Sequence, residues 1–133
     1  MDYVKSFREL QVYKLSKQLS KEIFEVTKMF PKEEMYSLTD QVRRSSRFVG
    51  AQIAESWGKR KYEKHFISKL TDADAEQLET QHWLETALDC KYLTQERAQE
   101  LLNQYATIGK MLNAMINKAA AFCNPAQSKT DDH

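Results

Sequence analysis

Residues 41–60 read QVRRSSRFVGAQIAESWGKR and combine two residue types that can carry chemistry, arginine and serine. Clustered arginines bind phosphate groups, whereas a serine becomes a nucleophile only when a base lies beside it. Ser45 and Ser46 have no histidine near them in the sequence. A serine inside a helix normally bonds to a carbonyl one turn back. We therefore predict that the stretch binds or packs, and we predict no catalytic residues.

Metal ligands occur in one suggestive pattern, Glu79-x-x-His82. Di-iron bundles need two such pairs and two further inward glutamates, and no second copy is present. Cys90 and Cys123 lack the spacing of a zinc site. The nucleotide-binding glycine motifs, HExxH and GxSxG are also missing from the sequence. We predict no metal, no cofactor and no enzymatic activity.

A polar stripe runs beside the apolar side of the same stretch, because its members recur at steps of four, seven and three residues. It contains Gln41, Ser45, Gln52 and Glu55. One interpretation is a buried network that bonds to Gln77 and Gln81 of the next helix and fixes the register between the two helices. The alternative is a small-molecule site in the same place, used by a ligand-binding or enzymatic bundle.

Charge is unevenly distributed although the net charge is only +1. Residues 41–64 have seven basic and two acidic side chains, and residues 72–100 have two basic and eight acidic ones. The two segments either neutralise each other or leave a basic patch that binds RNA or DNA. The candidate nucleic-acid-binding residues are Arg43, Arg44, Arg47, Lys59, Arg60, Lys61 and Lys64.

The elements that position these residues are predicted to be helices, since 3 glycines and 2 prolines leave few residues for tight turns. Apolar residues recur at steps of three and four over residues 7–30, 37–58, 61–90 and 94–122. Ser37 with Asp40 resembles a capping box, Thr94 is a second N-cap, and Gly58 fits the position just after a helix. Gly50, in mid-helix, predicts a close helix crossing.

Short connections make sequential helices antiparallel neighbours, so the predicted fold is an all-α, up-down-up-down four-helix bundle. Residues 1–123 form its single domain, and residues 124–133 read as a disordered tail. The sequence has no apolar run of about 18 residues and no signal peptide, which favours a cytoplasmic protein without a membrane partner. The two cysteines are expected at opposite ends of the bundle.

Helices three and four carry a second apolar edge beyond the one that a core needs. An edge of this kind is usually buried against another molecule, although a wide core stripe is the alternative. We predict a homo-oligomer with the interface residues Trp83, Leu88, Leu102, Met111 and Ile116.

Several short motifs then occur in the order found in the four-helix-bundle family encoded in 23S rRNA intervening sequences. That family reads roughly F-P-x-x-E-x-Y-x-L-x-x-Q-I-R-R, then I-A-E and G-R-R, and later L-E-T-Q. The chain resembles it over about residues 7–122. The matching residues are Phe30, Pro31, Tyr36, Leu38, Gln41, Val42, Arg43, Arg44, Ile53, Ala54, Glu55, Gly58, Lys59, Arg60, Leu78, Glu79, Thr80 and Gln81.

The resemblance implies an all-α bundle that forms homopentamers with a central channel and has no known enzymatic activity. The chain is also similar to the accessory proteins of diversity-generating retroelements, which are pentameric bundles that bind nucleic acid and a protein partner, a reverse transcriptase. It departs from the family pattern at residues 45–48, where a run of small residues is usual. Gln52 stands in place of an asparagine, and Ser56 in place of a glycine.

Overall fold

Four long α-helices dominate the computed structural model, which describes residues 4–123. A short 3-10 turn precedes the first long helix and another lies between the first two. The predicted disordered tail, residues 124–133, lies outside the described part. The helices are α1 (Gln11–Thr27), α2 (Leu38–Gly58), α3 (Glu63–Asp89), α4 (Gln95–Asn117) and the four-residue α5 (Ala119–Phe122).

The long helices run antiparallel to their neighbours, as the contacts between them show. In α1 and α2, Arg43 bonds to Thr27, while Gly50, further along α2, lies against Ser16, which is further back in α1. In α2 and α3, residue 45 meets residue 80 and residue 52 meets residue 69. In α3 and the last two helices, residue 77 meets residue 109 and residue 66 meets residue 122. The predicted up-down-up-down bundle is confirmed.

The core lies along the axis of the bundle and receives one apolar stripe from each long helix. Spacing of three and four residues puts these side chains on one side of each helix, where they leave water together. Tyr105 and Phe66 are the largest fully buried side chains. The other large ones are Leu19, Ile23, Val42, Val49, Ile53, Leu70, Leu84, Leu101, Ile108 and Leu112. The predicted crossing at Gly50 is present, since a Cβ there would lie 3.2 Å from Ser16 Oγ.

The first helix is shorter than predicted at both ends. Ser6 caps a 3-10 turn over residues 7–9, with its Oγ accepting from Arg8 N at 3.2 Å. Leu10 is then extended, with φ −66° and ψ 131°, and its buried side chain joins the core. Apolar periodicity continues across this break, which is why the pattern alone predicted a single helix over residues 7–30.

The start of α2 is capped differently from the prediction. Ser37 occupies the N-cap position but its side chain makes no capping bond. Its hydroxyl donates instead to Glu34 Oε1 at 2.6 Å, and the same oxygen accepts weakly from Leu38 N at 3.4 Å. Tyr92 also donates to Glu34, at 2.9 Å. These bonds hold the pKa of Glu34 below its usual value, and the carboxylate ties the start of α2 to the loop between α3 and α4.

The other helix ends follow known capping rules with two corrections. Gly58 is the last residue of α2 rather than the residue after it, and no glycine in residues 4–123 has a positive φ. The left-handed position instead belongs to Lys91, with φ 65°, just after α3. Thr94 caps α4 as predicted, accepting from Arg97 N at 3.1 Å. The predicted fourth helix breaks at Lys118, which has non-helical dihedrals.

Candidate functional site

Three arginines of α2 are close in sequence but point to different neighbours, because successive helical residues are rotated by 100°. Arg43 faces α1, where its Nε donates to Thr27 Oγ1 at 2.7 Å and its guanidinium lies 4.6 Å from the Phe24 ring centre. Arg47 is exposed on the same side, 5.7 Å from that centre. Both arginines are therefore held beside an aromatic ring at the surface.

Arg44 is rotated by 100° from Arg43 and belongs to the contact between α2 and α3. Its Nη2 lies 2.6 Å from Glu79 Oε2, and its Nη1 lies 4.0 Å from Glu76 Oε2. Trp83 Nε1 donates to the same Glu79 oxygen at 3.0 Å. Arg44 therefore fits the alternative interpretation of the basic segment, in which the acidic third helix neutralises it.

The remaining basic candidates lie where α2 ends and α3 begins. Lys59, Lys61 and Lys64 are exposed. Arg60 is half-buried, stacks 3.6 Å from the centre of the Trp57 ring, and donates from Nε to the Trp57 carbonyl at 2.9 Å. Partial burial lowers the pKa of the Arg60 guanidinium below its usual value. An arginine still keeps its charge at neutral pH.

Across residues 4–123, Arg44 is the only one of the seven candidates in an ion pair with a carboxylate. Lys69 also pairs with acidic groups, but the sequence analysis did not select it. The other six basic side chains keep their charge available at the surface. The structure brings them together in two groups, one on α2 beside Phe24 and one at the turn that follows α2.

The predicted polar stripe does meet α3, but through other partners than Gln77 and Gln81. Ser45 Oγ lies 2.8 Å from Thr80 Oγ1 inside the bundle, and this pair is completely buried. Lys69 Nζ lies 3.5 Å from Gln52 Oε1 and 3.6 Å from Glu55 Oε1, nearer the surface. Gln41 is half-buried. The stripe therefore contacts α3 at two separate points, one buried and one nearer the surface, and the predicted bonds to Gln77 and Gln81 are not formed.

Gln77 and Gln81 instead form a polar contact near α4. Gln77 Nε2 donates to Asp74 Oδ1 at 2.9 Å, and Gln77 Oε1 accepts from Gln81 Nε2 at 2.7 Å. Gln77 is 3% exposed and lies against Gly109. A Cβ at Gly109 would stand 2.8 Å from Gln77 Nε2, so the glycine makes room for the amide.

Two buried polar groups have no hydrogen-bond partner among residues 4–123, Glu76 Oε1 and the Tyr105 hydroxyl. Burial raises the pKa of the Glu76 carboxyl, against the lowering effect of Arg44. Burial also raises the pKa of Tyr105, and the negative charge of Glu22 adds to this effect. Both groups are buried within the bundle, and the structure gives them no catalytic neighbour in the described part.

The possible metal ligands are not assembled into a site. Glu79 is engaged by Arg44 and Trp83, and His82 is exposed with its ring edge-on to Trp83 at 4.7 Å. The described residues contain no group of three His, Cys, Asp or Glu side chains placed to hold a metal ion. Both cysteines are free, and Cys123 is buried at the far end of α3 from Cys90.

The five predicted interface residues all keep part of their surface exposed. Trp83, Leu102, Met111 and Ile116 also pack against the core. Leu78 of α3, which the sequence analysis did not select, is more exposed than any of them, at 55%. An oligomer interface on α3 and α4 stays a prediction, and Leu78 becomes a further candidate for it.

The protein is a four-helix bundle, because each of its four long helices runs antiparallel to the next. Basic residues lie on α2 and at the turn after it. The model of the 23S rRNA-intervening sequence protein family matches residues 8–114, and the chain belongs to that family. A solved structure of a protein of unknown function from the S23 ribosomal protein family of Bacteroides thetaiotaomicron is similar, with a TM-score of 0.71 and 28% sequence identity. The similarity covers 80% of this chain and 95% of that one. No curated protein matches the chain.

Sequence reasoning missed the α1 side of the basic surface. Phe24 is 37% exposed, and Lys28 lies 4.9 Å from its ring centre, in addition to the two arginines of α2. The signal was present, since Phe24 is off the apolar stripe of α1 and has a lysine four residues later. Within the described chain, no helix is both long enough and apolar enough to cross a membrane.

Proposed function

We propose that the protein is a non-enzymatic, cytoplasmic bundle that assembles with copies of itself and binds nucleic acid through its basic surface. We call Lys59, Arg60, Lys61 and Lys64 the turn cluster. The observation that carries the proposal is that Arg43, Arg47 and the turn cluster make no ion pair within residues 4–123. A basic segment retained only for packing would have its charges paired with the acidic third helix, as Arg44 does. Unpaired cations at a protein surface attract polyanions.

Self-assembly would repeat this surface around a ring. The family resemblance favours a pentamer, in which weak phosphate contacts from several copies act together on one strand. Binding of this kind should be weakly sequence-specific, because contacts to phosphates position a protein without reading bases.

A titration of labelled RNA and DNA at several salt concentrations tests nucleic-acid binding. Affinity should fall steeply between about 50 and 200 mM salt, since bound cations release counterions from the phosphate backbone. Replacing Lys59, Arg60 and Lys61 with alanine should flatten this dependence without unfolding the bundle. The matched control is Lys32→Ala, an exposed lysine outside the basic surface. If neither single- nor double-stranded nucleic acid binds at low salt, the proposal is wrong.

Light scattering tests assembly, and a mass near the 15.6 kDa of one chain at micromolar concentration would contradict it. Leu78→Asp is the most informative variant, because Leu78 is exposed in the single chain and the substitution should leave the core of the bundle intact. It should lower the mass while the helical content stays unchanged. Leu102→Asp should also weaken assembly, although this residue packs against the core and can destabilise the chain itself.

A second candidate function, a scaffold that binds only proteins, is supported by Met29 and Tyr36. These side chains are 82% and 92% exposed and lie close in sequence where α1 ends and α2 approaches. The ligand-binding alternative has less support, because Ser45, Gln52 and Glu55 already contact partners on α3. The scaffold would be favoured if the wild type binds a protein partner in the absence of nucleic acid and Tyr36→Ser abolishes that binding.

A further inference from the structure

Three cations surround the exposed ring of Phe24. The ring centre lies 4.6 Å from the guanidinium carbon of Arg43, 5.7 Å from that of Arg47, and 4.9 Å from Lys28 Nζ. The ring and Lys28 come from α1, and the arginines come from α2. We call these four residues the Phe24 cluster. It straddles the groove between two helices, so the packing of α1 on α2 determines its geometry.

Arg43 is held in place within the cluster. Its Nε donates at 2.7 Å to Thr27 Oγ1, and Thr27 is 3% exposed. The Thr27 hydroxyl lies 2.7 Å from the Ile23 carbonyl, to which it donates, so its orientation is also fixed. The terminal nitrogens of Arg43 make no hydrogen bond within residues 4–123. A fixed guanidinium with free outer nitrogens is prepared to bind an oxyanion without a large entropic cost.

The charges of the Phe24 cluster are poorly compensated. Within residues 4–123 its one carboxylate contact is Glu25 with Lys28, at 3.3 Å, and both of these side chains are more than half exposed. Such a surface pair contributes little. Three like charges around one ring repel each other, and an anion bound between them would relieve that repulsion. A phosphodiester group has the charge and the acceptor oxygens for this position.

α2 also carries a second exposed ring, Phe48, beside Arg44, the arginine that pairs with α3. Phe24 is 37% exposed and Phe48 is 42% exposed, and the Arg44 guanidinium lies 5.2 Å from the Phe48 ring centre. Unpaired bases stack on aromatic rings and on guanidinium planes, whereas a duplex keeps its base faces covered. Alternating aromatic and basic side chains are therefore typical of surfaces that bind single strands.

We infer that the Phe24 cluster is a binding site for single-stranded nucleic acid. The phosphate is bound by Arg43, Arg47 and Lys28, and an unpaired base extends the stack from ring to guanidinium to base. This inference rests on the proposed function and names its substrate class. It also assigns the strand preference to the groove between α1 and α2, while the turn cluster supplies general attraction.

The test measures fluorescence anisotropy of the full chain with a labelled single strand of about 12 nucleotides, within the range that one such site covers, and with its duplex. Phe24→Leu removes the ring but keeps an apolar side chain at a partly exposed position. Because the ring supports the guanidinium on which the base stacks, single-strand affinity should fall about 10-fold, near the lower end of the range for losing one base stack, while duplex affinity changes less than 2-fold. Tyr36→Leu is the matched control, since it removes a 92% exposed ring outside the cluster.

The outcomes separate this inference from the proposed function. If Phe24→Leu leaves single-strand affinity unchanged, or reduces single-strand and duplex affinity equally, the inference is wrong although nucleic-acid binding stands. If the wild-type protein binds neither form, both are wrong. Arg47→Ala is a second variant at an exposed position, and circular dichroism checks that each variant is folded. Arg47→Ala should weaken single-strand binding and reduce the salt dependence of the affinity by about one phosphate contact.

Discussion

At Gly109, α4 lies close to a buried polar side chain of α3, and Gly109→Ala tests how tightly that contact is packed. The new Cβ would lie 2.8 Å from Gln77 Nε2, well inside van der Waals contact. Gln77 is 3% exposed and is held by Asp74 at 2.9 Å and by Gln81 at 2.7 Å. The amide can therefore move away only by lengthening or breaking one of these hydrogen bonds or by moving their side-chain partners.

The magnitude follows from two opposing effects. Alanine favours a helix interior over glycine by about 1 kcal/mol. Displacing the Gln77 amide leaves a bond to the charged Asp74 unmade, which costs about 2–3 kcal/mol for a buried group. We therefore expect Gly109→Ala to lower the free energy of unfolding by about 1–2 kcal/mol. The measurement is urea denaturation followed by circular dichroism, at one protein concentration because assembly adds to apparent stability.

Two variants make this result specific. Gly58→Ala is the matched control, since a Cβ at Gly58 has no atom within 4 Å, and it should raise stability by up to about 1 kcal/mol. In a Gln77→Ala background the obstacle is gone, so Gly109→Ala should become neutral or stabilising, which gives a coupling of at least about 1 kcal/mol. If Gly109→Ala is as stabilising as Gly58→Ala in the wild-type chain, the close-packing argument is refuted.

Two further predictions concern stability. Burial raises the pKa of Glu76, so the folded state binds the proton of this carboxyl more tightly than the unfolded state does. The wild type should therefore lose stability relative to Glu76→Gln as the pH rises above about 4.3. Denaturation midpoints of both proteins from about pH 4 to 7 check the sign of this effect. If the wild type instead becomes more stable relative to Glu76→Gln as the pH rises over this range, the argument from burial of the carboxylate is wrong. Lys91 has φ 65° at the end of α3, so Lys91→Gly should raise the free energy of unfolding by about 0.5–1 kcal/mol. Urea denaturation measures this change, with Lys59→Gly as the control. A loss of stability in Lys91→Gly would contradict backbone strain at this position.

The long helices were predictable because their apolar stripes are strong and their ends have recognisable residues. The starts of α2 and α4 lie within one residue of the expected positions, at Leu38 and Gln95. The start of α1 was not predictable in this way. Its apolar pattern continues through Leu10, and only the tertiary position of that buried side chain reveals the break in the backbone.

The end of α3 illustrates a different limit. A left-handed residue after a helix is usually glycine, and on that basis Gly58 was predicted to follow α2, but no glycine lies near the end of α3 to take this role. Lys91 has it instead, with Tyr92 N donating to the Ala87 carbonyl at 2.9 Å and Lys91 N donating to that of Leu88 at 2.9 Å. These two bonds form a Schellman motif. They depend on where the following loop must go, which local residue preference does not report.

The basic residues show why a candidate site is harder to predict than a helix. Arg43 and Arg44 are adjacent and chemically identical, yet Arg43 lies on a phenylalanine of α1 and Arg44 bonds to glutamates of α3. The sequence identifies both as candidates, but the 100° between them decides their neighbours. Only the packing of α2 between α1 and α3 turns that angle into different partners.

The partition of these two arginines would let one helix serve both stability and the proposed binding of nucleic acid. Arg44 faces carboxylates that α3 supplies, and the partly buried Glu76 would be left without a cation if Arg44 were removed. Arg43 faces an uncharged ring and a threonine, which orient its guanidinium without neutralising it. Arg44→Gln should therefore lower stability at neutral pH, whereas Arg43→Gln should mainly weaken nucleic-acid binding. Unfolding and nucleic-acid binding are measured on both variants. The division is refuted if Arg43→Gln loses mainly stability and Arg44→Gln mainly affinity, or if each variant loses both.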